Sequence, residues 1–345
     1  MSKFLKTVTF VGAMSLIAAC GDDTGGESAD GEENGEDAAA NYPEENVTMI
    51  VPFSAGGTTD VNARLIEDHW SNHFDTNLVI EYREGAGGEV GFTALGDADA
   101  DGYTIGNINV PHIYLQPEGR DTDFDLDSFA YTSRLVSDPQ LLAVHEDSEF
   151  ETLDDFMDAL EEDPGSQTVG IVGTLTGDHI TTLQFMDETG LEVNESPFPG
   201  ASDVVSNLLG GHIDAMMGNL GDVITEQDSI RVLGIATEER HDWLPDAPTF
   251  EEQGVDLVAA IDRGVAFPEG TPDEIVETVQ DAIEEISNDP DYEQSMEDAG
   301  LPNEFLPGDE WEEQIRDEAD DARDLLERFE DEVEEAEEAE EELAD

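Results

Sequence analysis

Lysine is absent beyond residue 6. Lys3 and Lys6 are the only two, and ten arginines complete the 12 basic residues that face 88 acidic ones. The net charge of -76 excludes nucleic acid as a partner, because no basic stripe exists to meet phosphates. It does not exclude an anionic ligand. At about 1 M salt the Debye length is about 3 Å, so a screened surface no longer sets the field inside a cleft. Such a balance is that of a halophile's protein, whose self-repulsion concentrated salt suppresses. Cysteine is also nearly missing: Cys20 stands alone, so the chain has no disulfide framework. After the first twenty residues no stretch approaches the ~20 apolar residues of a spanning helix. There is no Gly-x-Ser-x-Gly elbow, and among 88 carboxylates a possible acid–base pair carries no information.

What is present begins at the N-terminus. Lys3 and Lys6 precede an apolar stretch over residues 10–19, the pattern of a signal peptide. Ala18 and Ala19 then lead into Cys20, Gly21 and Asp22, which resembles a bacterial lipobox; the alternative is an ordinary secretory signal with an incidental cysteine. Cys20 is therefore the expected lipidation site. The remainder is expected outside the cytoplasm, anchored by lipid to the outer face of the cell membrane or periplasmic. Residues 21–41 hold no bulky apolar side chain and cannot offset their chain entropy by burial, so they read as a flexible acidic tether.

From Val47 onward strand and helix patterns alternate, which predicts an α/β fold with largely parallel sheets covered by helices. Strands are expected at 47–51, 78–82, 168–172 and 232–236. Helices are expected at 153–160 and at 271–287, the latter capped by Thr271-Pro272-Asp273-Glu274. Extended segments at 131–144 and 258–264 read as two crossings between lobes. The expected domains are residues 42–137 with 262–330, then 138–261, with 331–345 as an acidic extension. Trp311, Ile315, Ala319, Ala322, Leu326, Phe329 and Val333 recur at helical spacing, giving one buried seam.

The most informative stretch is 52–60. Gly56 and Gly57 let the backbone bend, and Thr58-Thr59-Asp60 are expected to cap a helix whose first N–H groups lack partners. Such a helix start after a strand holds a carboxylate without any lysine. A second strand, glycine/threonine loop and helix start runs from Gly173 through Thr174, Thr176, Gly177 and Asp178 to His179. Facing each other across a hinge, the two loops would grip the ends of a small dicarboxylate or an amino acid. His179 reads equally as a ligand donor or as a capping residue. Arg263 reads equally as a bidentate carboxylate contact or as a hinge salt bridge.

A resemblance rests on ordered motifs. Val51-Pro52-Phe53-x-x-Gly56-Gly57-x-x-Asp60 is followed by Arg83-x-Gly85-Ala86-Gly87-Gly88 and Ala100-Asp101-Gly102-Tyr103-Thr104. Residues 173–179, Pro199-Gly200-Ala201, residues 208–214, residues 244–249 and Pro268-Glu269-Gly270-Thr271-Pro272 complete the series. Over residues 43–325 the chain resembles the substrate-binding receptors of tripartite tricarboxylate transporters, also called Bug-type receptors. The resemblance implies a two-lobed periplasmic-binding-protein fold, type II-like, each lobe a sheet flanked by helices, joined by a hinge of two crossings. It implies a small carboxylate ligand and a transporter of one large and one small integral membrane subunit. Carried over by position, the first ligand loop falls on Phe53, Ser54, Ala55, Gly56, Gly57, Thr58, Thr59 and Asp60. The second falls on Thr174, Thr176, Gly177 and His179, while Gly87, Gly88, Asn107 and Asn219 sit where the family lines the cleft. Leu175 departs from a usual glycine, and Gly177 and Asp178 from hydroxyl residues.

Weaker patterns read as structure. Asp97-x-Asp99-x-Asp101-Gly102 begins like a calcium loop, but its twelfth position is Ile108. His69 and His73 lack the intervening glutamate of a zinc helix. Neither a metal nor a cofactor is expected, and a monomer is. The leading reading is a receptor that delivers its carboxylate to a membrane transporter. A sensory co-receptor, or an enzyme on the same fold, stands as the alternative.

Overall fold

The computed structural model describes residues 41–329 together with Val333 and Ala336. The expectations for the signal, Cys20 and the tether, and for most of the acidic extension, fall outside the described residues.

Among the described residues, eight of the ten strands form one hydrogen-bonded path, two sheets joined end to end, and the other two pair off that path with one of its strands. In the first, β1 (Val47–Val51) pairs in parallel with β2 (Leu78–Tyr82) and with β3 (Thr104–Val110). The antiparallel β9 (Ala260–Pro268) follows, then the lower part of β4 (Phe129–His145), with β10 (Asn303–Pro307) against β4. β4 is 17 residues long and changes sheets. Its pairing with β9 ends at Pro139, and from Gln140 it pairs with β7 (Ala215–Asn219) and nearby with β8 (Ile230–Ile235). β5 (Thr168–Val172) and β6 (Asn194–Phe198) extend this second sheet in parallel with β7.

Side-chain alternation dictates the layering. On β4, Leu141 and Ala143 enter one core and Leu142 and Val144 the opposite one, as period-two geometry requires. The second sheet is thereby covered on one face by α4 (Leu153–Glu162) and α5 (Gly177–Thr189), and on the other by α6 (Ala201–Leu209) and α7 (Leu220–Val223). The first sheet has α1 (Thr58–Trp70), α8 (Asp273–Ser287) and α9 (Pro290–Asp298) on one face. On its other face lie α2 (Glu89–Gly96), α3 (His112–Gly119) and α10 (Gly308–Arg328). In α1, Ala63, Ile66 and Trp70 fall on one face, and the fully buried Trp70 contributes on the order of 2–3 kcal/mol through the area it removes from water. In α10, Trp311, Ile315, Ala319 and Leu326 form the expected seam, which Val333 continues.

One capping expectation is corrected. The α8 start has Pro272 at its N-cap with no side-chain cap, and the Thr271 hydroxyl donates instead to the Pro268 carbonyl at 2.8 Å. That hydroxyl is buried, so the nearer acceptor inside the fold takes it.

Candidate functional site

Where β4 changes sheets, loops from the carboxyl ends of both sheets face each other around a cavity of about 470 Å³, counted to its open mouth. The loop after β1 supplies Phe53, Ser54, Gly57, Thr58 and Thr59, and the loop after β6 supplies Gly200, Ala201 and Ser202. Asn109, His112, Val172, Asp178, Asn219, Ile261 and Arg263 close the remaining walls. The two loops come close together: a Cβ at Gly200 would lie 3.1 Å from the Ser54 hydroxyl.

Two helices start at this cavity without a side-chain cap. α1 begins after Gly57 and α6 after Gly200, and neither receives a capping hydrogen bond. Asp60, expected to help cap α1, turns back instead. Its carboxylate accepts from the Gly56 N–H at 2.8 Å, the Tyr82 hydroxyl at 2.6 Å and Arg64 Nε at 3.0 Å, which fixes the glycine loop from behind. These bonds and Arg64 outweigh the desolvation that would raise its pKa, and hold it below the usual carboxylate range. The first N–H groups of both helices thus remain for an anion.

Below them Arg263 is 2% exposed and donates through Nη1 to Asp138 at 2.8 Å, while its Nε is buried with no partner. Asp138 also accepts from the Gly221 N–H at 3.1 Å. The alternatives left open for Arg263 are therefore joined: it is a buried ion pair and a cavity-wall cation at once. Its rarity is telling, because every one of the ten arginines is ion-paired. Only Arg263 among them lines this cavity.

The wall also carries Asp178, which accepts from the Val172 N–H at 3.0 Å and from Gln140 Nε2 at 3.1 Å. Gln140 also donates to Asn219 Oδ1, and Asn219 Nδ2 donates to Asp222 at 2.9 Å. Burial pushes the Asp178 carboxyl up to about 7, with the Asp222 charge adding to the effect, and pushes Asp138 up to about 6 against the pull of Arg263. Asp222 is likewise raised by burial. Burial, helped by Arg263, drives His112 down to about 3, so its imidazole is neutral.

A carboxyl group whose pKa rises on folding gives stability that is fully present below the unfolded value near 4 and lost as pH climbs through the folded value. The Asp178→Asn variant should therefore gain stability relative to the native chain by a few kcal/mol between about pH 4 and 8. Urea unfolding at both pH values checks this, and a constant difference would refute it.

Of the residues read as ligand-facing, Phe53, Ser54, Gly57, Thr58, Thr59, Asn219 and Arg263 come together at the cavity. Ala55, Gly56 and Asp60 belong to the supporting loop and do not line it. Gly87 and Gly88 turn at positive φ (61° and 101°) beside the second-sheet loop, where a Cβ on Gly87 would meet the Thr174 carbonyl at 3.1 Å. Asn107 lies buried in β3, two residues before Asn109, which does reach the cavity. Thr174, Thr176, Gly177 and His179 are not on the wall either. The physical reason is that α5 caps itself: Thr176 Oγ1 accepts from the His179 N–H at 3.4 Å, and His179 Nδ1 accepts from the Leu175 N–H at 3.0 Å. Gly177 packs directly behind Ile261, which lines the cavity in its place. Leu175 keeps the left-handed backbone (φ 52°) that a glycine would favour, held there by its buried side chain.

The Gly200-Ala201-Ser202 helix start shows the same strand, glycine and helix signature as residues 56–59 and was legible on that ground. Asn109 and His112 left only a faint signal, polar side chains closing an apolar strand. His69 and His73, set aside as metal ligands, engage separate partners, the Leu65 carbonyl at 2.9 Å and Glu285 at 3.2 Å.

Comparison with known proteins agrees with this architecture. The family model described as a tripartite tricarboxylate transporter family receptor matches residues 62–330. The protein BugT of Bordetella pertussis is 28% identical over 253 residues, 69% of this chain and 75% of that one. A solved periplasmic transporter superposes with a TM-score of 0.79 at 28% identity, covering 83% of this chain and 97% of its own. An R. palustris protein solved with adipate gives 0.78 at 25% identity, with the same coverages of 83% and 97%. The fold is the two-lobed α/β architecture of periplasmic binding proteins, and the chain belongs to the receptor family of the tripartite tricarboxylate transporters.

Proposed function

We propose that the protein is an extracytoplasmic receptor that captures a small carboxylate between its lobes and delivers it to the integral membrane subunits of a tripartite transporter. The observation that carries this reading is the convergence of two uncapped helix starts and the unpartnered Nε of Arg263 on one cavity. Helix N-termini carry partial positive charge, and their N–H groups donate to a carboxylate without a lysine. The adipate held by the R. palustris relative supports the same ligand chemistry. We assign residues 42–137 with 262–330 to one lobe and 138–261 to the other. The hinge lies at 135–142 and 257–263, where β4 and β9 run side by side. Cys20 carries the lipid in this reading, residues 21–41 tether a monomer to the membrane, and concentrated salt is its working medium. Binding rather than catalysis fits the neutral His112, whose Nδ1 has no partner and activates no hydroxyl.

A melting-temperature screen of the full chain in roughly 2 M salt, where surface charge is screened to a few ångströms, tests this reading. A carboxylate at about 100 times its Kd should raise the midpoint by about 5 °C, and neutral sugars and cationic amino acids should not. A shift with sugars or cations alone, or chemical consumption of the carboxylate, would sink the reading.

A further inference from the structure

The charges on the cavity wall are balanced, and that balance restricts the ligand further than the word carboxylate does. Arg263 on β9 is the single cation there and Asp178, at the start of α5, the single carboxylate. The other two nearby acids are engaged behind the wall, Asp138 by Arg263 and Asp222 by Asn219. A ligand with one carboxylate finds Arg263 and the helix starts. A second ligand carboxylate would find no second cation, and it would share a low-dielectric space with Asp178.

Asp178 itself is 1% exposed, and its two hydrogen-bond donors, an amide side chain and a backbone N–H, are both neutral. Among the described residues no ion pair reaches it, the Arg263 charge offsets its burial only slightly, and a buried carboxylate so weakly compensated is costly. Nearby acceptors also wait for donors. Asn109 gives its Nδ2 to Thr59 Oγ1 at 3.0 Å, and its Oδ1 is buried with no partner; the Oε1 of Gln140 is in the same state. A second carboxylate has no proton to offer these oxygens, whereas an ammonium group has three.

We propose that the ligand is a small zwitterion, a molecule with one carboxylate and one ammonium, and that Asp178 is the residue that selects the ammonium. This rests on the receptor reading above. The carboxylate faces Arg263 and the starts of α1 and α6, and the ammonium faces Asp178 and Asn109.

Isothermal titration of the full chain with matched compounds tests the proposal without any variant. The sets are propionate, alanine and β-alanine, and butyrate, γ-aminobutyrate and succinate. At least one zwitterion should bind about tenfold or more tightly than its amine-free counterpart, the worth of one hydrogen bond to a charged group. Asp178→Asn should then erase that advantage, so that each zwitterion and its amine-free counterpart bind within about threefold of each other. Succinate binding most tightly, or an unchanged ranking in Asp178→Asn, overturns the proposal and leaves the receptor reading standing. Absence of binding by every carboxylate and every zwitterion overturns both.

Discussion

Arg263→Met should abolish ligand binding and lower the unfolding free energy by about 3–5 kcal/mol, the cost of leaving a buried charge without its partner. Two causes add. Arg263 is the only cation on the cavity wall, so its loss removes the charge-assisted hydrogen bond open to a carboxylate. Asp138, fully buried and bonded to Arg263 at 2.8 Å, would then keep only the Gly221 N–H at 3.1 Å. The two causes separate in the double variant Asp138→Asn/Arg263→Met. With the stranded charge removed, much of the stability should return, while binding should not. Denaturant unfolding and calorimetric titration of the two variants together decide this. Binding retained within threefold in either one would remove Arg263 from the site.

Gly264→Val should give a chain that does not fold, or one destabilised by at least about 3 kcal/mol, the upper range for forcing atoms into a packed core. A Cβ at this position would sit 2.1 Å from the Ser133 carbonyl oxygen and 2.5 Å from the Trp311 ring. The carbonyl belongs to β4 and cannot rotate away as a side chain would. To make room, β9 would have to leave β4 at the step where Gly264 pairs with Arg134, beside Arg263. The soluble yield and melting midpoint of Gly264→Val against the native chain check the claim, and a midpoint within 3 °C of native would refute it.

Much of the architecture was legible because one period dominates each element. β1 and β2 stand where apolar alternation placed them, and the long extended run through Leu141 to Val144 became β4. Elements whose apolar signal is interrupted were missed: α3 contains Pro117, and β6 reads Asn-Glu-Ser-Pro-Phe. At the site, the first glycine loop drew attention in the sequence because a strand, two glycines and a helix start leave few alternatives. The second loop stands off the cavity wall for a local reason. Both 173–179 and 200–202 have the right residue types, and only the hydrogen bonds of Thr176 and His179 show that α5 satisfies its own start. Capping of that kind depends on rotamers, which spacing does not encode. Asp178 was visible only as a departure from a pattern. Its meaning depends on Arg263, 85 positions away in the numbering and reached only through tertiary folding.

Strand β4 has a consequence for how such a chain can be inherited. Because one strand of 17 residues serves the first sheet up to Pro139 and the second from Gln140, a single unbroken backbone ties the two sheets together. A recombination event there would join a strand segment fitted to one sheet onto a continuation fitted to a foreign partner. The halves are therefore expected to descend together through their history, and variety of ligand must arise by substitution in the loops that surround the cavity.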